Sequence, residues 1–308
     1  MRGLNLLLIL TLLPAAALAA QTVRVATFNT FWLYDDAPPH ARWADQRSQD
    51  YDVSIQRVAA QIAALDADIV GLQEVEGPHV VADLADALAA AGSPYPHRFT
   101  GRGLDAYTGQ DVAILSRHPA AIEPVLRYPG ATEAYRNEHG YPRVATLAKF
   151  MRVDLAIGEG ADAQILTVFN AHLKSQRAPS YSSERERMAQ ARLTRRISRG
   201  VIERGRPNVL LIGDMNDDRG SRTLNILRGR TDGSWPIHQT TDSQHFEGEA
   251  WTHEHQGSRE QLDHILANKF MYDCLRAVSI QRVDPAVSDH HPVVAEFEIG
   301  CKNSGSES

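Results

Sequence analysis

The sequence has few cysteines, no surplus of basic residues and no internal repeat. Two cysteines in 308 residues exclude both a disulfide-rich scaffold and a multi-cysteine zinc site. The 32 Lys and Arg against 38 Asp and Glu give a formal charge of -6, so bulk electrostatics would not hold a polyanion. A nucleic-acid partner would have to be bound locally, with the help of cations. The absence of a repeat excludes a solenoid or a propeller.

The composition is that of an ordinary globular protein. It is 43% apolar and 23% charged, which excludes a disordered chain, a collagen-like repeat and a polytopic membrane protein. The length allows one large domain or two modest ones.

The one long hydrophobic stretch lies at the N-terminus. Arg2 precedes an apolar run over 4–13, then Pro14 and small residues ending at Ala19 and Ala20. This layout predicts a secretory signal peptide over 1–20, cleaved near Ala19/Ala20, and hence a secreted or periplasmic protein. A membrane anchor is the alternative, but the run is shorter than the roughly 20 residues that span a bilayer.

The two cysteines lie near the C-terminus. In an exported chain, Cys274 and Cys301 are expected to form a disulfide, with two free thiols as the alternative. The mature domain is expected over 21–301, and the Ser- and Gly-rich tail 302–308 is expected to be disordered.

Short apolar runs alternate with helical patterns in the mature chain. Strands are predicted over 23–28, 68–72, 112–116, 144–151, 165–171, 208–212, 262–267 and 293–299. Helical stripes run over 55–65 and 81–88, and a third helix opens with the capping box Ser183-x-x-Glu186 and ends before Gly205. This alternation predicts one α/β domain with a mixed sheet.

The third helix carries a row of arginines on its polar face. These are Arg187, Arg192, Arg195, Arg196 and Arg199. A solvated helix face is favoured over a nucleic-acid-binding stripe, because helices on the back of a sheet commonly show this pattern.

Polar side chains follow several predicted strands directly. Asn29 ends the first strand, Glu74 follows a buried-type strand, and His172 ends another. A carboxylate at the edge of a core needs a partner, either a divalent cation or an arginine. Asp214 and Asn216 follow Gly213 with the spacing that places both on one side of the chain, where an Asx-rich turn is the plainer alternative.

Two further motifs complete the pattern. Asp263 stands within an apolar strand, where it can accept a ring N–H from a histidine such as His290 in Ser-Asp-His-His-Pro. Because functional groups of α/β folds lie on loops at strand ends, six such motifs in one chain indicate an active site.

In this order the motifs resemble those of the endonuclease/exonuclease/phosphatase superfamily, the deoxyribonuclease-I-like fold. They are Phe28-Asn29, Gln73-Glu74, Ala113-Ile114-Leu115-Ser116-Arg117, His172-Leu173, Gly213-Asp214-Met215-Asn216, Leu262-Asp263-His264-Ile265-Leu266 and Ser288-Asp289-His290-His291-Pro292. The resemblance covers about 22–299. It implies a four-layered α/β/β/α sandwich of two packed mixed sheets and metal-dependent hydrolysis of phosphate esters.

The resemblance also implies residue roles. Glu74 would be the principal ligand of Mg²⁺, or of Mn²⁺ or Ca²⁺, with Asn29 beside it and Asp289 nearby. His290 would act as general base or proton shuttle, oriented by Asp263.

The remaining roles concern the phosphate. Asp214 would position or activate the attacking water, and Asn216 and His172 would stabilise charge on the phosphoryl oxygens. Arg143 would contact a phosphate. Phe31 stands where some DNA-repair members carry an acid, which argues against the abasic-site branch.

The leading hypothesis is an exported metal-dependent endonuclease acting on DNA, with RNA as a further substrate. It is expected to be a monomer without stable membrane association. The alternative substrates are phospholipids or sphingomyelin, or inositol and sugar phosphates, and no hairpin with clear aromatic content supports a lipid. A catalytically silent binding module would be expected to lose Glu74, Asp214, Asp263 or His290, and all four are present. The loop over 32–51 is either a substrate-side loop or a disordered surface loop.

Overall fold

The computed structural model describes residues 21–35, 50–103, 105–176, 181–229 and 236–301. The predicted leader 1–20, the tail 302–308 and residues 36–49 of the predicted loop lie outside the described residues.

The described residues form five helices and fifteen strands. The helices are α1 Tyr51–Leu65, α2 Pro78–Ala90, α3 Tyr181–Glu203, α4 Arg222–Leu227 and α5 Lys269–Asp273. The strands are β1 Gln21–Leu33, β2 Ile69–Val75, β3 His97–Thr100, β4 Asp111–Ser116, β5 Thr132–Arg136, β6 Pro142–Thr146, β7 Phe150–Ile157, β8 Gln164–His172, β9 Asn208–Asp214, β10 Ile237–Gln239, β11 His253–His255, β12 Ser258–Glu260, β13 Asp263–Asn268, β14 Leu275–Ile280 and β15 Val293–Ile299.

Two mixed sheets contain most of the strands. One has the order β14-β15-β1-β2-β4-β3 and the other β10-β13-β9-β8-β7. Each has one parallel pair at its centre, β1 with β2 and β8 with β9, and antiparallel pairs elsewhere. Because parallel neighbours run the same way, Asn29 pairs with Gln73 and His172 pairs with Asp214 at the carboxyl ends of both pairs.

Three apolar cores separate four layers. The first fills the space between the sheets, with Val25 and Ile114 facing Val153 and Leu210. The second packs α1 and α2 on the first sheet, and the third packs α3 and α4 on the second. The predicted α/β/β/α sandwich is confirmed.

A buried polar contact joins the two sheets next to the strand ends. Gln73 Nε2 on β2 donates to Asn170 Oδ1 on β8 at 2.7 Å. Asn170 Nδ2 also donates to the carbonyls of Leu72 and Ala113 at 3.0 and 2.8 Å. Since an unmade buried hydrogen bond costs about 1–3 kcal/mol, this network fixes how β2 and β8 lie against each other.

Two predicted boundaries are wrong. The strand predicted over 144–151 is two strands, because β6 ends at Thr146 and β7 begins at Phe150. The intervening residues, Leu147, Ala148 and Lys149, line a cleft. Helix α3 begins at Tyr181, so Ser183 lies in its first turn instead of capping it.

Six strands and two helices have no counterpart among the predicted elements. They are β3, β5, β10, β11, β12, β14, α4 and α5. All eight have six residues or fewer, so their apolar signal is short.

The predicted disulfide is confirmed. Cys274, which precedes β14, bonds to Cys301, which follows β15, with their Cα atoms 5.8 Å apart. Among the described residues, no helix is both long and apolar enough to cross a bilayer.

The arginines of α3 make contacts within the protein. Arg187 pairs with Asp217 at 3.1 Å, and Arg192 and Arg196 pair with Glu133 at 3.2 and 2.7 Å. The predicted solvated helix face holds for Arg192 and Arg196, whose side chains are 40% and 56% exposed, but Arg187 and Arg195 are buried.

Candidate active site

A cleft of about 740 Å³ opens where β1, β2, β8 and β9 end. Of the nine predicted site residues, six line it: Glu74, His172, Asp214, Asn216, Asp289 and His290. Asn29 and Asp263 lie directly behind them, in contact with Asp214 and His290. The strand-end motifs, far apart in sequence, thus converge as predicted.

A buried histidine–aspartate pair forms one wall. His290 Nδ1 lies 2.7 Å from Asp263 Oδ2, and both residues are almost fully buried. The backbone on both sides is held by hydroxyls, since Thr252 Oγ1 accepts from the Asp263 amide and Ser288 Oγ accepts from the His290 amide, each at 3.0 Å. With Nδ1 on Asp263, the other ring nitrogen of His290 is the one that serves the cleft.

Asp214 is held by both of its oxygens. Asn29 Nδ2 donates to Asp214 Oδ2 at 3.0 Å, and the backbone N–H of Asn216 donates to Asp214 Oδ1 at 2.7 Å. Gly213 makes this strand end possible, because a Cβ there would lie 1.9 Å from Ala171 O on β8. Burial, with Asp263 close by, raises the pKa of Asp214 to about 7.

Glu74 is aimed by a local backbone irregularity. Its own φ is 62°, and the register between β1 and β2 shifts beyond Asn29, where Phe31 and Trp32 also have positive φ. The shift brings the Trp32 amide to Glu74 Oε2 at 3.0 Å. Such bulges and strained residues concentrate at functional sites, where they re-aim side chains.

His172 lies between the two carboxylates. Its Nε2 is 3.6 Å from Asp214 Oδ2 and 3.9 Å from Glu74 Oε1, too far for hydrogen bonds. Burial lowers the pKa of His172 well below its usual range, so the imidazole is neutral at physiological pH. A neutral ring in this position is a hydrogen-bond donor to a bound anion.

The donor set fits a hard divalent cation. Glu74, Asp214 and Asp289 bring three carboxylates to one partly buried cleft, and Asp263 lies behind His290. A concentration of carboxylates in a poorly solvated place is costly without a counter-charge. Oxygen donors of this kind suit Mg²⁺ or Mn²⁺.

Two predicted residues stand apart from the predicted ligand group. Asn29 Nδ2 donates to Asp214, and Asn29 Oδ1 accepts from the Phe31 N–H at 3.0 Å. Asp289 lies with His253 and His290, their ligand atoms within 4.8 Å of one another. Their roles as metal ligands stay predictions.

Arg143 is not brought into the cleft. It is exposed on β6, where its guanidinium donates to Pro142 O at 3.2 Å. Its predicted phosphate contact would have to be made outside the cleft that the other residues line.

Sequence reasoning missed a partly buried lysine and a histidine. Lys149 Nζ donates to Gln110 Oε1 at 2.8 Å and lies 3.6 Å from Asp105. Burial lowers the pKa of Lys149, while Asp105, Glu74 and Asp214 oppose that effect. The sequence signal for Lys149 is a charged residue between the apolar Leu147 and Phe150, within the segment predicted as one continuous strand.

The missed histidine, His253, packs its ring against His290. The two ring centroids are 4.8 Å apart, and the backbones of the two residues form an isolated bridge. A three-residue strand carrying it gave no pattern strong enough to be predicted.

Solved structures share this fold at low sequence identity. An endonuclease/exonuclease/phosphatase family protein from Bacteroides thetaiotaomicron is 15% identical, with a TM-score of 0.60 over 91% of this chain and 98% of that one. A truncated Caenorhabditis elegans TDP2 is 18% identical, with a TM-score of 0.57 over 90% and 97%. A mannosyl-6-phosphatase from B. thetaiotaomicron is 17% identical, with a TM-score of 0.59 over 89% and 98%.

Sequence comparison is consistent with this likeness. No curated protein matches the sequence. The family model described as "Endonuclease/Exonuclease/phosphatase family" matches residues 26–290, which include every predicted site residue. The chain therefore belongs to the endonuclease/exonuclease/phosphatase family, whose members are phosphoester hydrolases.

Proposed function

We propose that this protein is an exported, divalent-metal-dependent phosphodiesterase that cleaves nucleic acid, with DNA as its main substrate. The observation that carries the proposal is the buried His290–Asp263 pair at 2.7 Å, beside Asp214 and Glu74 on one cleft. A phosphodiester resists water because it is anionic, so its hydrolysis needs a proton carrier, a neutralising cation and donors to the phosphoryl oxygens.

Glu74 would hold the cation, with Asp289 as a further carboxylate of the same cleft. When bound, the cation neutralises the phosphoryl oxygens and so lowers the barrier to attack by water. The Trp32 amide already fixes the Glu74 carboxylate through its Oε2.

The protein's own residues manage protons and position. Asp263 fixes the tautomer of His290, whose second nitrogen then exchanges a proton with the water or with the leaving oxygen. Asp214, held on both oxygens, orients the water. His172 and the side-chain amide of Asn216 would donate to the phosphoryl oxygens. One N–H of that side-chain amide already donates to Leu173 O at 3.0 Å, so the other N–H would serve the phosphate.

The walls of the cleft favour a nucleic acid over a compact phosphomonoester. Lys149 and Lys174 supply positive charge, and Trp32 and the largely exposed Tyr107 supply ring faces at the rim. Ring faces stack bases with little regard to sequence, and basic groups contact the backbone. The acidic total charge makes such binding depend on divalent cations and on low salt.

Export is part of the proposal. The predicted leader supports it, and the Cys274–Cys301 disulfide is compatible with an oxidising compartment. Cell fractionation with N-terminal sequencing tests it: the mature chain should be found outside the cytoplasm and begin near residue 21. Recovery of the full chain in the cytoplasm would contradict it.

A lipid phosphodiester is the second candidate, and one observation favours it. Tyr141 and Val144 on the β5–β6 hairpin are 60% and 62% exposed, beside Arg143. The hairpin runs directly into the cleft at Thr146 and Leu147. This exposed aromatic and apolar content was not anticipated, and it would suit contact with a lipid surface.

A substrate panel separates these functions. Supercoiled DNA, single-stranded RNA, sphingomyelin vesicles and inositol phosphates are incubated with Mg²⁺ or with chelator. The proposal predicts metal-dependent nicking of DNA at the highest kcat/KM. It fails if DNA and RNA stay intact while vesicles or phosphomonoesters are hydrolysed.

The matched control is His290→Ala beside His97→Ala. His97 lies on β3, the edge strand of the first sheet, and is absent from the cleft lining. His290→Ala should remove the activity on every substrate, and His97→Ala should leave it unchanged. Equal activity in both variants, in preparations free of contaminating hydrolase, would contradict the proposal.

A further inference from the structure

A second group of metal-type ligands lies outside the cleft. Asp35 follows β1, Glu76 follows β2, and His79 is in the first turn of α2. Their ligand atoms lie within 4.8 Å of one another, and none of the three lines the cleft. Three separate elements therefore direct one nitrogen and two oxygen donors to one point.

The distances suit a small transition-metal ion. His79 Nε2 lies 3.2 Å from Asp35 Oδ2 and 3.9 Å from Glu76 Oε2. Tetrahedral zinc with bonds of about 2.0 Å separates its ligand atoms by about 3.3 Å, so small side-chain movements would complete the geometry. Three protein ligands would leave one position for water.

The backbone already holds one of the donors, the Glu76 carboxylate. The Asp35 amide donates to Glu76 Oε2 at 3.0 Å, which joins the ends of β1 and β2. The Glu76 side chain is only 3% exposed, whereas that of His79 is 52% exposed. The group thus has a fixed, buried carboxylate and a histidine that can adjust.

The local charge favours a cation. Tyr51, which donates to Asp83 at 2.8 Å, has its pKa raised by burial and by Asp83, Asp35 and Glu76. Two carboxylates, Asp35 and Glu76, flank the His79 imidazole, so their combined negative charge exceeds the single positive charge that the ring can carry. A divalent ion would offset it more fully than a single protonated histidine.

We propose that Asp35, Glu76 and His79 form a second divalent metal site, selective for Zn²⁺ or a similar transition ion over Mg²⁺. The imidazole sets this selectivity, because nitrogen donors suit zinc and an all-oxygen set suits magnesium. The ion would link the start of α2 to the ends of β1 and β2. Its ligand Glu76 is two residues after Glu74 in the sequence. The site does not depend on the proposed phosphodiesterase activity.

Metal binding is the test, with the mature chain stripped by chelator and then titrated with Zn²⁺ in a calorimeter. Absorption of bound Co²⁺ serves as a second readout. His79→Ala and Glu76→Gln should each weaken one site at least tenfold, since even indirect partners of a ligand change affinity by about 10–100-fold. Two groups of potential metal ligands at the cleft, His253 with Asp289 and Asp214 with Asp263, both include His290, so His290→Ala identifies any zinc bound there.

His139→Ala is the matched control. His139 is a similarly exposed histidine 3.6 Å from a single carboxylate, that of Glu138. Among the described residues, it belongs to no group of three potential metal ligands. It should leave every Zn²⁺ site unchanged. The proposal is overturned if His79→Ala binds Zn²⁺ with the wild-type number of sites and affinities. Should Glu76→Gln fail to fold by circular dichroism, the exposed His79→Ala still decides the question.

Discussion

Asp263→Asn isolates the contribution of the buried carboxylate to catalysis. The change keeps the shape of the side chain and removes the charge that lies 2.7 Å from His290 Nδ1. Asp263 is the first of the groups that raise the pKa of His290, to about 10, against the opposing effect of burial. The neutral amide therefore both lowers the proton affinity of the ring and weakens its orientation.

The expected loss is large. A positioned acid or base contributes on the order of 10²–10⁴ to a rate, so kcat should fall by about that factor, equivalent to about 3–5 kcal/mol. KM should change little, because Asp263 lies behind His290 and is fully buried. The assay is hydrolysis of a chromogenic phosphodiester at saturating Mg²⁺.

Asp154→Asn is the control for an indirect effect of losing a buried charge. Asp154 is 2% exposed on β7, pairs with Arg152 at 3.0 Å and accepts from Thr167. This variant should lose stability and keep the kcat of the folded protein. The reasoning is refuted if folded Asp263→Asn retains kcat within threefold of wild type.

Three further changes test the metal, the charge and the disulfide. Glu74→Gln should raise the Mg²⁺ concentration for half-maximal rate at least tenfold, because the cleft loses its fixed carboxylate; an unchanged Mg²⁺ titration would contradict this. Burial raises the pKa of Asp111 from 3.8 to about 6, so the ionised form destabilises the fold progressively as pH rises from about 4 to about 6. Asp111→Asn should therefore raise the free energy of unfolding in urea, relative to wild type, by roughly 3 kcal/mol at pH 7 and by almost nothing below pH 4, and an equal difference at both pH values would be inconsistent with that cause. Replacing both Cys274 and Cys301 by Ser should lower the free energy of unfolding by about 3–4 kcal/mol, since the bond closes a 27-residue loop, and an unchanged thermal midpoint would show that the loop is constrained by other contacts.

The parts of the fold that the sequence predicts well are those that bury a continuous apolar face. The strand predicted over 293–299 is β15 as observed, and α1 and α2 extend the apolar stripes by a few residues. Such elements depend on apolar spacing alone. Motifs at the ends of buried strands also converge reliably, because parallel neighbours end at the same edge of a sheet.

The remaining features depend on backbone geometry that spacing does not carry. The positive φ of Glu74 and the shift in register after Asn29 orient the Glu74 carboxylate. Neither feature can be predicted from the residue types at these positions. Arg143 lies away from the cleft because the β5–β6 hairpin packs on α3, where Glu133 meets two arginines. Lys149 reaches the cleft only because one predicted strand is broken there.

The initial rate of DNA nicking in wild type and His290→Ala, each with Mg²⁺ and with chelator, tests the central claim most directly. The account predicts nicking in wild type with Mg²⁺ alone, and a rate at least 100-fold lower in the other three conditions. Equal nicking by His290→Ala, with both proteins free of contaminating nuclease, would contradict it.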